Sequence, residues 1–183
     1  MTDATLKRLL QPGVDFRTFG ENLATLTLGS MAVAALVVHE RHSRGGHPLL
    51  GGVSLAATNH SRLCLGTATE MRTDATTLLR EGVSLAKRTY AAVQAELGVD
   101  PSMVSQFVLH QVGKANHDAL VRELSLPRER ALQLYPSYGN VGAAGVPFTL
   151  ATNVANGRLR PGETALLMGI GSGLNCTMMG VRW

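Results

Sequence analysis

The two side chains best placed to do chemistry in this sequence are His110 and Asn140. His110 ends the apolar run FVLH and is followed by Gln111 and the flexible Gly113. A neutral imidazole at the carboxyl end of a strand can donate a hydrogen bond to an oxygen on which negative charge develops. The alternative interpretation of the same pattern is a core histidine whose hydrogen bonds are satisfied within the protein.

Asn140 lies in a glycine-framed loop within the segment YPSYGNVGAAGVP. Gly139 and Gly142 permit tight backbone paths on either side, and a helix is predicted to begin between Ala143 and Pro147. An asparagine amide can donate one hydrogen bond to a substrate oxygen while its own oxygen accepts another that holds it in place. An ordinary asparagine–glycine turn explains the same residues without any chemistry.

The segment GIGSGLN has the appearance of a dinucleotide fingerprint but lacks its third glycine. Leu174 stands at that position, and no helix follows before the chain reaches Trp183. We interpret the segment as a glycine-rich bend that brings backbone close to a neighbouring site. The bend and the loop before Asn140 supply the predicted substrate-binding residues, which are Gly139, Gly171, Ser172 and Gly173.

Cysteines and clustered histidines give weaker patterns. Cys64 and Cys176 are far apart in the sequence, and neither begins a predicted helix or lies beside a base. Both are therefore predicted to be reduced thiols that pack as small apolar residues. The cluster HERHSRGGH departs from the H-E-x-x-H spacing of a zinc site and lies in a predicted loop, so no metal is expected.

Composition excludes several classes of function. The chain has 183 residues, of which 45% are hydrophobic and 16% charged, as is typical of one folded domain with a real core. Its net charge of +4 comes from scattered residues, so nucleic acid is not an expected partner. The sequence offers neither an uncharged apolar window of roughly 18 residues nor a signal peptide. We therefore expect no membrane span and a cytoplasmic location.

Apolar periodicity predicts the helices and strands that must position these residues. The clearest helix covers residues 73–98, with Thr73 or Asp74 as its N-cap and Gly98 at its left-handed end. FVLHQV and ALQLYP are predicted strands, and TALLMGIGSGLNCTMMGVRW is a predicted pair of strands. NHDALVREL and VPFTLATNVANG are predicted helices between them. This alternation predicts an α/β fold with a mixed, mainly parallel sheet flanked by helices.

Two further expectations concern loops and the N-terminal region. The loops after FVLHQ and LQLYP would both leave carboxyl ends of strands, so they would meet at one site. Residues 1–22 are predicted as a short helix and a loop, and residues 49–58 as a strand. Residues 23–40 are predicted either as two strands around Gly29 and Ser30 or as one helix.

Taken together, HQVGKAN, YGNVGAAGVP and GIGSGLNCTMMGVRW resemble the C-terminal half of the thiolase superfamily, in its β-ketoacyl-carrier-protein synthase III branch. Synthase III enzymes commonly show His-Gln-Ala-Asn, whereas His-Gln-Val is similar to the OleA group, which joins two fatty acyl-CoA molecules head to head. NLATLTLGSMAVAALVV and LLGGVSLAATNHSRLCLG extend the resemblance over nearly the whole chain. It implies that residues 1–60 are the tail end of the N-terminal half and residues 61–183 the C-terminal half.

The catalytic set of that family is a cysteine, a histidine and an asparagine. The resemblance implies that His110 and Asn140 are the last two. The cysteine belongs to the N-terminal half, and neither Cys64 nor Cys176 falls at its place. One acyl-CoA would acylate the cysteine and release CoA, and the α-carbanion of a second would attack that thioester and free the cysteine thiolate. His110 and Asn140 would hydrogen-bond the thioester oxygen of the second substrate.

The resemblance also implies partners. These are an acyl-CoA or acyl-carrier-protein thioester as substrate, no cofactor, and a dimer or assembly in which a cysteine-bearing N-terminal half or a homologous subunit completes the site. The early strands would otherwise expose an apolar edge, which predicts poor solubility of the chain alone. The alternatives are a non-catalytic partner subunit or truncated remnant, and a start codon upstream of Met1 that the DNA on its 5′ side would reveal.

Overall fold

The computed structural model describes residues 2–67 and 71–183. Its helices are α1 (Thr2–Leu9), α2 (Phe16–Leu26), α3 (Ala75–Leu97), α4 (Lys114–Glu123), α5 (Tyr135–Tyr138) and α6 (Gly145–Ala155). Its strands are β1 (Leu49–Ala56), β2 (Cys64–Gly66), β3 (Met71–Thr73), β4 (Val104–Leu109), β5 (Thr164–Gly171) and β6 (Asn175–Arg182). In this part of the chain no helix is long and apolar enough to cross a membrane.

A mixed sheet with the order β1–β6–β5–β4 forms the centre of the molecule, and β2 and β3 form a separate antiparallel pair. Helix α3 packs against β1 and β6, while α6 packs against β4 and β5. The predicted α/β class, with a mixed sheet flanked by helices, is confirmed. Among the strands that the structure describes, parallel pairing is found only between β4 and β5. The expected mainly parallel sheet does not form, because a tight bend folds β6 back on β5 and β1 then pairs antiparallel with β6.

Strand β4 lies at the heart of the core and is buried on both faces, as its unbroken apolar run predicts. Phe107, Val108 and Leu109 are each 0% exposed. Phe107 and Leu109 belong to the cluster under α3, whereas Val108 packs in the smaller cluster under α6. Complete burial of each such side chain contributes roughly 1.5–3 kcal/mol, so the end of β4 is a firmly held position.

Helix α3 matches its prediction closely. Asp74 caps its start, where the carboxylate Oδ1 accepts a hydrogen bond from the Thr77 backbone N–H at 3.0 Å. Gly98 ends it in the left-handed conformation at φ 58°, which glycine adopts without a steric penalty. The apolar stripe predicted from periodicity faces the sheet, with Ala86 2% and Val93 1% exposed.

The segment ALQLYP was predicted as a strand, and this prediction is wrong. Residues 131–134 contain no helix or strand, and α5 begins at Tyr135 with Pro136 in its first turn. The backbone of this segment pairs with the side chain of Gln111 instead of with a neighbouring strand. Ala131 is buried without a sheet at 3% exposure, and Leu132 and Leu134 are half-buried.

The N-terminal region also departs from prediction. α2 occupies residues that were expected to form a loop and the start of a strand, because Asp15 Oδ1 caps the helix by accepting from Thr18 N–H at 2.7 Å. Residues 29–39 contain no helix or strand, so the strands predicted there do not form, and the alternative single helix over residues 23–40 is present only as far as Leu26, where α2 ends. In this stretch Leu36 is 91% exposed and Val37 73%.

The predicted strand at residues 49–58 is confirmed as β1. β1 is an edge of the sheet that pairs with β6, so the last part of residues 1–60 is joined directly to the strands that follow. The domain boundary at residue 60 stays a prediction.

Candidate active site

An apolar cavity of about 580 Å³ opens beside the ends of β4 and β5. Leu79, Gly82 and Val83 of α3 form one wall, and Leu167 and Ile170 of β5 form another. The polar side chains that reach this cavity include His110, Asn116, Asn140 and Ser172. The two residues singled out from the sequence are therefore brought to one apolar chamber.

His110 is the first residue after β4, and its backbone N–H continues the sheet by donating to the Met168 carbonyl at 2.8 Å. Burial lowers the pKa of its imidazole below the ordinary 6.5, so the ring is neutral at pH 7. Gly145 begins α6 beside the ring, where an added Cβ would lie 3.7 Å from His110 Nδ1. Among the described residues no side chain or carbonyl hydrogen-bonds the ring, so the imidazole keeps a donor for a ligand.

Asn140 presents the second donor. Its side-chain Oδ1 accepts a hydrogen bond from the Gly142 backbone N–H at 3.0 Å, as expected for an asparagine that orients its own amide. The donor group Nδ2 therefore faces away from that turn, and no described residue accepts a hydrogen bond from it. Like His110, it is a free donor on the wall of the cavity.

The backbone of Asn140 is clamped by the segment that follows α2. Asn140 N–H donates to the Thr27 carbonyl at 2.9 Å, and Gly29 N–H donates to the Asn140 carbonyl at 2.8 Å. Two glycines allow the backbone of the segment after α2 to come this close to the backbone of the loop that carries Asn140. A Cβ at residue 29 would lie 1.9 Å from the Tyr138 carbonyl oxygen, and one at Gly139 would lie 2.6 Å from that of Thr27.

The predicted substrate-binding residues divide into two pairs. Gly171 and Ser172 line the cavity, as the glycine-rich bend suggested. Gly173 is not part of the lining and serves the bend itself, at φ 115°. Gly139 is not part of the lining either, because its close approach is to the clamp rather than to the chamber. Substrate binding by any of the four stays a prediction.

The two cysteines have different environments. Cys176 is 1% exposed in β6, and burial raises the pKa of its thiol, so it packs as a small apolar residue. Cys64 lies on β2 at the wall of the cavity, where its Sγ accepts a hydrogen bond from Thr73 Oγ1 at 3.5 Å. Within residues 2–67 and 71–183, no group of three or more His, Cys, Asp or Glu side chains is arranged to hold a metal.

Gln111 was not given a role from the sequence. It is 2% exposed, and its side-chain amide reaches the backbone of the segment before α5. Nε2 donates to the Leu132 carbonyl at 2.7 Å, while Oε1 accepts from Leu134 N–H at 2.9 Å and Tyr135 N–H at 3.1 Å. The sequence signal was a glutamine two residues after a buried apolar run, where only a paired amide is tolerated.

His117 was also overlooked. It is 2% exposed on α4, with Nδ1 3.1 Å from Gln133 Nε2 and Nε2 3.3 Å from the Ala131 carbonyl oxygen. An amide nitrogen only donates and a carbonyl only accepts, so the ring is neutral with its proton on Nε2. Burial is the main cause that lowers its pKa. Nearby, hydrogen bonds from Lys114 and Arg128 lower the pKa of Asp118 to about 2.

Comparison with known proteins gives a consistent result. Residues 94–183 match the family model described as 3-oxoacyl-[acyl-carrier-protein (ACP)] synthase III C terminal. Acyl-CoA:acyl-CoA alkyltransferases of Xanthomonas campestris pv. campestris and Shewanella oneidensis are 36% and 37% identical to 99% and 100% of this chain, which covers 54% and 56% of their lengths. Acetoacetyl CoA synthase NphT7 of Streptomyces sp. is 40% identical over 48% of this chain, which covers 27% of that protein.

Solved structures agree. A cysteine-to-serine variant of Xanthomonas campestris OleA, crystallised with bound lauric acid and lauroyl-CoA, superposes with a TM-score of 0.91 at 34% identity. The superposition covers 100% of this chain and 54% of that chain. The chain thus has the thiolase-like fold of the C-terminal half of OleA, and it spans about half the length of the curated relatives it matches.

Replacing Gly29 by alanine should break the clamp on Asn140. The added Cβ would collide with the Tyr138 carbonyl, and overpacking of this kind costs about 1–3 kcal/mol of unfolding free energy. Urea denaturation measures that loss, and amide hydrogen exchange should quicken at residues 29 and 140. Gly20→Ala is the matched control, because no atom lies within 4 Å of its added Cβ. Equal behaviour of the two variants would contradict the clamp.

Stability should fall as the pH is lowered from 7 to 5. Burial lowers the pKa of His110 and of His117 from 6.5, so below 6.5 the unfolded chain binds protons that the folded chain does not. The stability due to the neutral rings is fully present above pH 6.5 and is lost as the pH falls through the lowered values. Urea denaturation across this range measures the slope. His117→Asn should flatten it, and an unchanged slope in both His110→Asn and His117→Asn would refute the assignment.

Proposed function

We propose, from the match of residues 94–183 to the 3-oxoacyl-[acyl-carrier-protein (ACP)] synthase III C-terminal family, that the chain is the C-terminal portion of a Claisen-condensing enzyme. Its substrate is an acyl-CoA or acyl-carrier-protein thioester, and its product is a β-keto acyl compound. The observation that carries the proposal is the pair of unoccupied hydrogen-bond donors, His110 and Asn140, on one apolar cavity.

The proposed chemistry follows from the two donors. The α-carbon of the second acyl thioester loses a proton to a general base of the completed assembly, and the resulting carbanion attacks the carbonyl carbon of an acyl group held on a cysteine. A carbon–carbon bond forms, the carbon–sulfur bond to that cysteine breaks, and its thiolate leaves. As the carbanion forms, negative charge moves to the thioester oxygen of the second substrate. His110 and Asn140 donate hydrogen bonds to this oxygen, and preorganised donors in an apolar chamber stabilise such charge most strongly.

The cavity supports a fatty acyl substrate. Its volume of about 580 Å³ is typical of small-molecule sites, and its walls are mainly aliphatic. The OleA relative of matching fold is crystallised with lauric acid and lauroyl-CoA, a saturated acyl chain and its CoA thioester. We infer that the acyl tail of the substrate occupies the space between α3 and β5 while its thioester oxygen faces the two donors.

We further propose that the nucleophilic cysteine belongs to the N-terminal portion of the relatives' length that residues 1–183 do not span. Three observations support this proposal. The chain spans about half the length of its curated relatives. Cys176 is buried with a raised pKa, and Cys64 lies on a short strand rather than at the start of a helix, where thiolates are stabilised. The exposed apolar side chains of Leu36 and Val37 offer a surface for that portion. We propose a cytoplasmic location, since both cysteines are free thiols, and a dimeric assembly, as the family resemblance implies.

Removing either donor should slow condensation without preventing assembly. The chain is co-expressed with a cysteine-bearing N-terminal portion of an OleA relative, and CoA release from lauroyl-CoA is followed. His110→Ala and Asn140→Ala should each lower the rate about 100- to 1000-fold, because each removes one hydrogen bond to the developing charge.

His60→Ala is the matched control, because His60 lies outside the cavity lining and is paired with Glu81 at 3.3 Å. It should keep the activity of the unaltered assembly. If His110→Ala and Asn140→Ala also keep that activity, the chain is a non-catalytic partner subunit, which is the competing proposal.

A larger side chain at residue 82 should shorten the preferred acyl chain. Gly82 lines the cavity, and an added Cβ there would lie 3.2 Å from Ile170 Cδ1, so Gly82→Leu would fill space that the tail needs. We expect lauric acid to bind at least about tenfold more weakly, which is the effect of losing roughly two buried methylene groups. Hexanoic acid should bind nearly unchanged.

Competition with a fluorescent fatty acid measures both affinities. The control is Ala91→Leu, which adds the same side chain to an exposed position of α3. A uniform loss of affinity for all chain lengths would place the acyl tail elsewhere.

A further inference from the structure

Gln111 connects the strand that carries one donor to the segment that leads to the other. It follows His110 directly, so its backbone position is set by the buried end of β4. Its side-chain amide makes three hydrogen bonds to the backbone of residues 132, 134 and 135. Four residues after these contacts end, the chain reaches Gly139 and Asn140.

No described helix or strand supplies hydrogen bonds to the three backbone groups that Gln111 binds, which are the Leu132 carbonyl and the N–H groups of Leu134 and Tyr135. Residues 131–134 belong to no helix or strand, and buried backbone N–H and carbonyl groups need partners. An amide is suited to the task because it donates at Nε2 and accepts twice at Oε1, which is the pattern that Leu132, Leu134 and Tyr135 require. A carboxylate would satisfy the two N–H groups but would place negative charge against the Leu132 carbonyl.

We propose that Gln111 is a positioning residue that fixes the spacing between the donors of His110 and Asn140. The proposal rests on the function proposed above, in which both donors bind one thioester oxygen. From Tyr135 the single turn of α5 leads to Gly139, whose N–H donates to the Tyr135 carbonyl at 2.9 Å. The loop is thus tied at its start by Gln111 and at Asn140 by the clamp with Thr27 and Gly29.

A second glutamine, on β4 itself, provides a matched control. Gln106 is 7% exposed, and its Nε2 donates to the Arg158 carbonyl at 3.0 Å. Its Oε1 is buried without a hydrogen-bond partner. Gln106 therefore resembles Gln111 in residue type and burial, but it makes no hydrogen bond to the segment that leads to Asn140.

The test compares two ligands that differ in one oxygen. Lauroyl-CoA has the thioester carbonyl, whereas S-dodecyl-CoA has a methylene group in its place, and calorimetry measures the affinity of the chain for each. The unaltered chain should prefer the thioester. Gln111→Ala should reduce this preference roughly tenfold or remove it, while the affinity for S-dodecyl-CoA changes less than about twofold. Gln106→Ala should keep the preference.

Gln111→Glu supplies a second, isosteric measurement. At pH 8 its carboxylate repels the Leu132 carbonyl, so the thioester preference should be low. When the pH is lowered toward 5.5 the carboxyl group gains a proton that it can donate to that carbonyl, and the preference should recover. A residue that only fills space would show no such recovery, and neither should Gln111→Ala. This variant also decides the matter if Gln111→Ala fails to fold.

The outcomes separate the two proposals. If the unaltered chain binds both ligands equally, the proposed oxyanion role of His110 and Asn140 is wrong, and the positioning role falls with it. If the unaltered chain prefers the thioester and both Gln111 variants keep that preference at every pH, only the positioning role is overturned. Loss of the preference in Gln106→Ala to the same extent would also overturn it, because the effect would then be a general loss of stability.

Discussion

The structure depends on one constraint, which is that the loop carrying Asn140 has no sheet of its own. Its polar backbone groups must nevertheless be satisfied where they are buried. Two distant parts of the chain meet this need. The segment after α2 pairs with Asn140 itself, and Gln111 holds the approach to α5. The N-terminal region, which contributes few strongly buried side chains, is therefore necessary to the geometry of the site.

The position of His110, the other donor of the site, depends on the sheet. His110 follows a strand that is buried on both faces, and its own N–H extends the pairing with β5. Such a position moves little, because packed interiors resist displacement. Burial also keeps the imidazole neutral, so one ring nitrogen carries a proton that it can donate to a ligand. A rigid neutral donor and a clamped amide together form a preorganised pair, which is what stabilisation of developing charge requires.

Much of this could be predicted from the sequence, since periodicity, caps and the FVL run defined α3 and β4. The meeting of His110 and Asn140 was also predicted, although for a partly wrong reason. Asn140 does not follow a strand, because ALQLYP is held by Gln111 rather than by a sheet. That contact joins residues 21 to 24 positions apart, and local propensity carries no information about it. The strand prediction for residues 29–39 failed for a related reason. Their apolar run is typical of a strand, but none of the described strands lies beside it.

The central claim is that His110 and Asn140 share one ligand oxygen. A crystal structure of the chain with lauroyl-CoA tests it most directly. We predict the thioester oxygen within about 2.7–3.1 Å of a ring nitrogen of His110 and of Asn140 Nδ2, with the acyl tail between α3 and β5. A thioester oxygen that contacts neither side chain, in a crystal where the tail occupies the cavity, would contradict the account.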